Sequence, residues 1–159
     1  MNFERTHDME LVKDIVTRDS IYWRVTDDLA PTPEKWNPLD DESMWYVTAK
    51  EEAALLGMFI FTPENSISWA IHLCLLPLAY GSKTRLALRE VTEWIFKNSR
   101  CLRIVGSVPS YNRAAVKFAK DSGWKAYGVN EKSYLKHGKL WDQHLFGISK
   151  DTVCQSLAA

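Results

Sequence analysis

The spacing of apolar residues predicts a helical N-terminal region followed by three strands. Apolar side chains recur at roughly helical intervals through residues 9–26, which predicts one or two helices. Three prolines within residues 30–38 predict an irregular crossover. Aromatic and β-branched runs then predict strands at residues 44–48, 55–62 and 66–76. The last run is the most continuously apolar, so we expect it to be a central strand covered on both faces.

The second half of the chain alternates between helices and strands. An apolar stripe predicts an amphipathic helix over residues 82–97, and a β-branched run predicts a strand over residues 102–108. A second amphipathic helix is predicted over residues 112–122, where a glycine follows as a stop signal. Two final strands are predicted at residues 125–135 and 140–148, joined by a His-Gly turn.

This order of elements predicts the fold class. Three consecutive strands favour an antiparallel meander, and the strand–helix–strand segment at residues 66–108 predicts a right-handed parallel crossover. We therefore expect a mixed α/β sheet, mostly antiparallel with one parallel crossover, and helices on both faces. No linker, repeat or low-complexity tract divides the sequence, so a single domain spanning residues 1–159 is predicted.

Composition and charge argue against several kinds of partner and site. Twenty lysines and arginines balance twenty aspartates and glutamates, so there is no electrostatic reason to expect nucleic acid or an anionic membrane as a partner. The three cysteines, Cys74, Cys101 and Cys154, are widely separated and form no zinc-ligand cluster, so neither a disulfide framework nor a metal site is expected. Reduced cysteines and an N-terminus without an apolar signal core lead us to expect a cytoplasmic protein.

The start of the second amphipathic helix carries a motif. Asn112 opens the segment NRAAVKF, Ala115 follows within one turn, and Gly123 and Trp124 come after the helix. Asparagine can offer its amide to a ligand at a helix start, alanine permits close approach, and glycine permits a left-handed exit. The segment resembles the second conserved block of the GNAT N-acetyltransferase superfamily. An ordinary amphipathic helix with a glycine stop is the alternative left open.

A second segment, residues 75–85, resembles the loop with which GNAT enzymes bind the pyrophosphate of acetyl-CoA. Backbone N–H groups at the start of a helix favour an anion there. Only Gly81 agrees with the family pattern, because Tyr80, Lys83 and Arg85 replace its usual Arg or Gln, Gly, and Gly or Ala. Two alternatives stay open: the two cations bind phosphates, or they are solvated surface charges.

The resemblance implies an activity, a co-substrate and a set of binding residues. A primary amine of a small molecule or a protein would attack the thioester of acetyl-CoA directly, in a ternary complex without a covalent enzyme intermediate. Backbone N–H groups near the end of the central strand, around Cys74 to Leu76, would stabilise the oxyanion. The residues expected to bind acetyl-CoA are Cys74, Leu75, Leu76, Gly81, Ser82, Lys83, Thr84, Arg85 and Asn112.

Few residues are candidates for proton transfer. His72 lies on one face of the predicted central strand, and its intrinsic pKa suits a general base near neutrality, with a hydrogen-bonded core histidine as the alternative. GNAT enzymes often carry a tyrosine acid where this chain has Ala119. Tyr111 or Tyr134 could replace that acid, and the alternative is that both tyrosines are half-buried packing residues.

The sequence is compatible with two functions. The first is an acetyl-CoA-dependent N-acetyltransferase, supported by the order of elements and by the block that begins at Asn112. The second is a non-catalytic GNAT-like module, such as a phage assembly or host-interaction protein, supported by the changed phosphate loop and by Ala119. Residues 71–77 resemble small GNAT-like proteins of tailed bacteriophages, and residues 138–146 resemble the ribosomal-protein-acetylating branch. Whether the chain forms a homodimer is left open.

Overall fold

A computed structural model describes residues 1–157, and side chains as far as residue 153, so the predicted free thiol of Cys154 lies outside the described part. The strands are β1 (Asn2–Thr6), β2 (Trp45–Glu51), β3 (Ala54–Pro63), β4 (Ser68–Leu75), β5 (Arg103–Pro109), β6 (Lys125–Lys136) and β7 (Lys139–Ser149). The helices are α1 (Met9–Val16), α2 (Asp19–Val25), α3 (Ser82–Asn98), α4 (Arg113–Asp121) and α5 (Lys150–Leu157). None of the described helices is long and apolar enough to cross a membrane.

The strands form one mixed sheet in the order β1-β2-β3-β4-β5-β7-β6. Five neighbouring pairs are antiparallel, and the sixth, β4 with β5, is parallel and is connected through α3. The predicted helices and strands all form, within a few residues of their expected ends. The predicted fold class, a mostly antiparallel α/β sheet with one parallel crossover, is therefore confirmed. The structure adds β1 and α5, which the sequence pattern does not predict.

Helices cover both faces of the sheet, and each face has its own hydrophobic core. Phe59 and Phe61 of β3 are buried in a cluster with the apolar residues of α3. Met58 of β3 lies in the opposite cluster, with Ile15 of α1 and Tyr22 of α2. Successive β3 residues thus alternate between the two cores, as a pleated strand requires. Burial of a side chain of this size contributes about 1.5–3 kcal/mol, so the two cores hold the helices against the sheet.

The two parallel strands separate after a short paired segment. Within the described chain, β4 and β5 pair only where residues 68–70 face residues 103–105. Beyond this point β4 stays paired with β3 as far as Leu75, and β5 stays paired with β7 as far as Pro109. The sheet therefore opens into a cleft at the C-terminal ends of β4 and β5. The expectation that both faces of β4 are covered is wrong at His72, which is exposed because it borders this opening.

The two helices beside the cleft begin differently. Asn112 caps α4, because its side-chain oxygen accepts a hydrogen bond from the Ala115 N–H at 3.1 Å. Gly123, with φ of 80°, follows the end of α4 as predicted. Gly81 precedes α3 with φ of 84°, and no described side chain caps this helix. The first turn of α3 therefore keeps backbone N–H groups that a ligand can use.

Candidate functional site

The opening between β4 and β5 holds a cavity of about 270 Å³. Residues of α2 and α4 form its sides, and residues of β6 and β7 form its far end. Its lining includes Arg24, Ile71, His72, Leu73, Gly106, Ser107, Asn112, Ala115, Phe118, Ala119, Tyr134 and Gln143. A mainly apolar wall with a few polar groups is typical of a small-molecule site.

Backbone amides of β4 face this cleft. The Leu76 N–H donates to the Leu56 carbonyl at 2.9 Å, in register with the β3–β4 ladder. Alternate residues of an antiparallel ladder bond to the same neighbour, so the N–H groups of Leu73 and Leu75 point towards β5. Because β5 has already separated from β4 here, neither amide has a strand partner among the described strands. An extended ligand with amide groups of its own can pair with them, as an added strand would.

Two titratable side chains on the same face of β4 differ in accessibility. Cys74 is buried in the core beside α1 and α2, and desolvation raises the pKa of its thiol to about 12, so it is inert. His72 is accessible from the cleft, and desolvation by the surrounding protein lowers its pKa below the usual 6.5. A neutral imidazole at neutral pH can accept a proton, so the chemistry expected of His72 is available at this position.

A pair of tyrosines lies at the β6 end of the cavity. Tyr134 lines the cavity, and its pKa is raised first by desolvation and then by the neighbouring Tyr111. Desolvation also raises the pKa of Tyr111, whose ring centre lies 5.3 Å from that of Trp141. Both phenols therefore stay protonated well above neutral pH and can donate a hydrogen bond or a proton. Ala119, which lines the same cavity, adds no polar side chain.

The first turn of α3 borders a second, smaller cavity. This cavity of about 170 Å³ is lined by Leu75, Tyr80 and Thr84, and it shares Arg24 and Leu73 with the cleft cavity. The helix dipole is positive at this end, and uncapped N–H groups add to its attraction for an anion. A ligand that extends from the cleft to this cavity can therefore place a negative group at the start of α3.

The two cations of the predicted phosphate loop face carboxylates. The Lys83 ammonium lies 2.5 Å from a carboxylate oxygen of Glu51, and the Arg85 guanidinium lies 3.9 Å from Asp121. Both pairs are exposed, so each contributes roughly 0–1 kcal/mol and a competing anion can displace the carboxylate. Arg85 and Ser82 line a separate cavity of about 620 Å³, bounded by α3, α5 and the end of α4. Phosphate binding by these two cations stays a prediction.

The structure brings some of the predicted site residues together and separates others. His72 and Asn112 line the cleft cavity. Leu75 and Thr84 line the smaller cavity next to it. Leu76 packs into the core beside α1 and α2 and contributes no side chain to either cavity. The side chains of the predicted set therefore divide between the cleft, the helix start and the core.

The sequence does not identify three polar residues of the cleft lining as site residues: Arg24, Ser107 and Gln143. Arg24 is a typical solvent-exposed position near the end of a predicted helix. Ser107 lies between Gly106 and Val108 in one predicted strand, and Gln143 lies in the polar run Asp142-Gln143-His144 of another, and both settings are typical of a sheet face in contact with water. The separation of β4 and β5 makes these positions part of a cleft, and local patterns do not reveal that separation.

Comparison with known proteins reveals solved structures of the same architecture. No family model matches the chain, and no curated protein matches it. A chimera of the Vibrio cholerae spermidine N-acetyltransferase SpeG and hSSAT superposes with a TM-score of 0.78 at 13% identity, covering 97% of this chain and 99% of that chain. The spermidine/spermine N-acetyltransferase SpeG from Vibrio cholerae, in complex with manganese ions, superposes with a TM-score of 0.75 at 14% identity, covering 98% and 95% of the two chains.

A further match is an acetyltransferase of the GNAT family from Bacillus anthracis, with a TM-score of 0.58 and 17% identity over 69% of this chain and 67% of that chain. The chain has the GNAT fold. Identities this low show the fold alone, so the GNAT-like architecture expected from the sequence is confirmed and the activity is a separate question. Although one of these GNAT structures holds manganese, no group of His, Cys, Asp and Glu among the described side chains of this chain could hold a metal ion.

Proposed function

We propose that the chain is an acetyltransferase that transfers the acetyl group of acetyl-CoA to a primary amine. The observation that carries this proposal is the separation of β4 and β5 after three residue pairs. The resulting cleft has backbone amides along one wall and an uncapped helix start at one end, which suits a long ligand that carries amides and a pyrophosphate. The three solved structures compared above are named as acetyltransferases, and two of these three are named for spermidine, which supports the reaction class.

Groups of this chain are available for each part of acetyl-CoA. The Leu75 amide is proposed to pair with the pantetheine arm. The N–H groups of residues 82–84, with Gly81 allowing close approach, are proposed to bind the pyrophosphate. Asn112 uses its side-chain oxygen to cap α4, so its side-chain NH₂ group is the part that can donate to the ligand.

Three kinds of group in the cleft are proposed to carry out the transfer. When bound, acetyl-CoA supplies the activated acetyl group. His72 accepts a proton from the acceptor ammonium, and the lone pair that this frees forms the new N–C bond. The Leu73 amide, which lies nearer His72, donates to the thioester oxygen as it gains negative charge, and the Leu75 amide is left for the pantetheine arm. Tyr134 donates a proton to the sulfur as the C–S bond breaks, the new amide nitrogen releases its second proton to the resulting phenolate, and His72 returns its own proton to water.

Polyamines are proposed as the first acceptors to test. Two solved structures of the same fold are named as spermidine N-acetyltransferases. Tyr134 lies at the end of the cleft, and the centre of its ring is 6.3 Å from that of Tyr111. Trp141 lies beyond them, and the Lys139 ammonium already contacts its ring at 4.1 Å. Aromatic faces attract ammonium groups, so the two tyrosine rings suit an acceptor that carries a second ammonium group besides the one that reacts.

Acetyl-CoA binding tests the proposal. At a ligand concentration about 100 times Kd, binding to the folded state adds roughly 2.7 kcal/mol to the free energy of unfolding. For a chain of this length, that gain raises the melting temperature by roughly 5–11 °C. Spermidine- or spermine-dependent release of free thiol from acetyl-CoA then measures turnover. No rise in melting temperature at millimolar acetyl-CoA would contradict the proposal.

A non-catalytic module with the GNAT fold is the second candidate. Ala119 in place of the tyrosine acid favours it, and so does the pairing of Lys83 with Glu51 and of Arg85 with Asp121. This candidate predicts no thiol release with any amine, even at acetyl-CoA concentrations that raise the melting temperature. Membership of the GNAT superfamily and the likeness to phage proteins stay predictions.

A further inference from the structure

Three cationic side chains surround the start of α3, and they differ in what they contact. Lys83 and Arg85 each face a carboxylate. Arg24, which comes from α2, instead donates to the Tyr80 hydroxyl at 2.8 Å, and its guanidinium carbon lies 5.3 Å from the centre of the Tyr80 ring. Arg24 forms no ion pair with the side chains that the structure describes. Because a neutral phenol does not cancel a positive charge, Arg24 keeps its full charge for a ligand.

Arg24 also lies where the two cavities meet. It lines the cleft cavity of about 270 Å³ and the cavity of about 170 Å³ beside α3. His72 lines the first of these cavities, and Thr84, in the first turn of α3, lines the second. A ligand that extends from the reacting groups to the start of α3 therefore passes the Arg24 guanidinium.

We infer that Arg24 binds the pyrophosphate of acetyl-CoA and that Tyr80 positions its guanidinium for this contact. The inference rests on the proposed function. A guanidinium binds two phosphate oxygens at once and is more weakly hydrated than an ammonium, so it suits a partly enclosed phosphate site better than a lysine does. Tyr80 directly precedes Gly81, the residue before α3, and its hydroxyl accepts the Arg24 hydrogen bond and donates to the Ser20 carbonyl of α2 at 3.5 Å. It therefore ties Arg24 to the segment that leads into α3, whose Thr84 lines the same cavity as Arg24.

Replacement of Arg24 by alanine, read out with two ligands, tests this assignment. Acetyl-CoA carries the phosphates, whereas S-acetylpantetheine carries the same thioester arm without them. We expect R24A to weaken acetyl-CoA binding, measured by calorimetry, roughly tenfold or more, as the loss of charge-assisted hydrogen bonds requires. Binding of S-acetylpantetheine should not change. R18A is the matched control, because Arg18 pairs with Asp14 and lines neither cavity, so both affinities should be retained.

The outcomes separate this inference from the proposed function. If wild-type protein binds acetyl-CoA and R24A binds it equally well, the inference is wrong and the proposed function stands. A loss confined to K83A or R85A would assign the phosphates to those side chains instead. An R24A variant that loses affinity equally for acetyl-CoA and S-acetylpantetheine would also overturn the inference, because Arg24 would then only support the cleft wall. If wild-type protein binds neither ligand, the inference and the proposed function both fail.

Tyr80→Phe tests the positioning role separately. This variant keeps the ring beside Arg24 and removes the hydroxyl that accepts its hydrogen bond. We expect Y80F to weaken acetyl-CoA binding less than R24A does and to leave S-acetylpantetheine binding unchanged. Because Tyr80 is inferred to act through Arg24, adding Y80F to R24A should cause no further loss. A further loss in the double variant, or full affinity in Y80F alone, would remove this role from Tyr80.

Discussion

His72 and Tyr134 are the two side chains whose protonation the proposed reaction uses. Desolvation lowers the pKa of His72 and raises that of Tyr134. At neutral pH the proposed base is therefore neutral and the proposed acid is protonated, as general base and acid catalysis require. Opposite pKa shifts of this kind keep both groups in their working forms over a broad pH range.

The pH dependence of turnover tests both roles. Because the pKa of His72 is lowered, kcat/KM should stay high at neutral pH and fall only below pH 6.5, as the imidazole gains a proton. His72→Gln should lower kcat roughly 100-fold or more and retain acetyl-CoA affinity. It should also abolish the fall of kcat/KM at low pH, which is the acidic limb of the pH profile. Tyr134→Phe should lower kcat and leave the acidic limb in place. An acidic limb that survives in His72→Gln would return His72 to a structural role.

Individual site residues are predictable from the sequence only where their neighbours in the chain define their surroundings. His72 and Asn112 can be predicted because each lies in a segment whose secondary structure the sequence pattern indicates. Arg24 cannot, because its partner Tyr80 lies 56 positions away along the chain. The partner of Lys83 is likewise a glutamate 32 positions away, so the sequence alone leaves open whether this lysine is paired.

Elements with a strong hydrophobic period are predictable, and those that depend on a partner are not. The apolar stripe of α3 predicts residues 82–97, and the helix spans Ser82–Asn98. Strand β1 has only five residues of mixed polarity and becomes a strand by pairing with β2 along its whole length, from Asn2 opposite Lys50 to Thr6 opposite Tyr46. Strand formation depends strongly on such context, which explains why local patterns miss β1.

The position of the end of β4 depends on Gly57 in β3. Gly57 has φ of 131°, and an added Cβ would lie 2.4 Å from the Cys74 carbonyl oxygen and 2.7 Å from the Leu75 Cα. Gly57→Ala should therefore lower the free energy of unfolding by roughly 1–3 kcal/mol, measured by urea denaturation. It should also weaken acetyl-CoA binding, because the Leu75 amide must shift.

Gly128→Ala is the control for this element. Gly128 lies on exposed β6, and an added Cβ there meets a Leu145 side-chain atom at 3.6 Å, an ordinary contact. We expect its effect on stability to stay within roughly 0.5 kcal/mol. Equal denaturation midpoints for the Gly57 and Gly128 variants would show that the end of β4 tolerates a side chain at Gly57.

At the scale of the whole molecule, the proposed function depends on where the sheet splits. The order of elements limits the topologies, so the mixed sheet and its parallel crossover are predictable from the sequence. The length over which β4 and β5 stay paired cannot be predicted from the sequence, because it depends on how β7 aligns with β5 and how β3 aligns with β4. These are long-range pairings, and they convert outward-facing positions of two strands into the walls of a cleft.

The most direct test of the account is an NMR titration of the ¹⁵N-labelled protein with acetyl-CoA. If the ligand binds between the separated strands, the largest amide shift changes will occur at Leu73, Leu75 and Gly106 and in the first turn of α3, because these groups border the opening. Changes confined to α5 and the end of α4, or no changes at millimolar acetyl-CoA, would contradict the account.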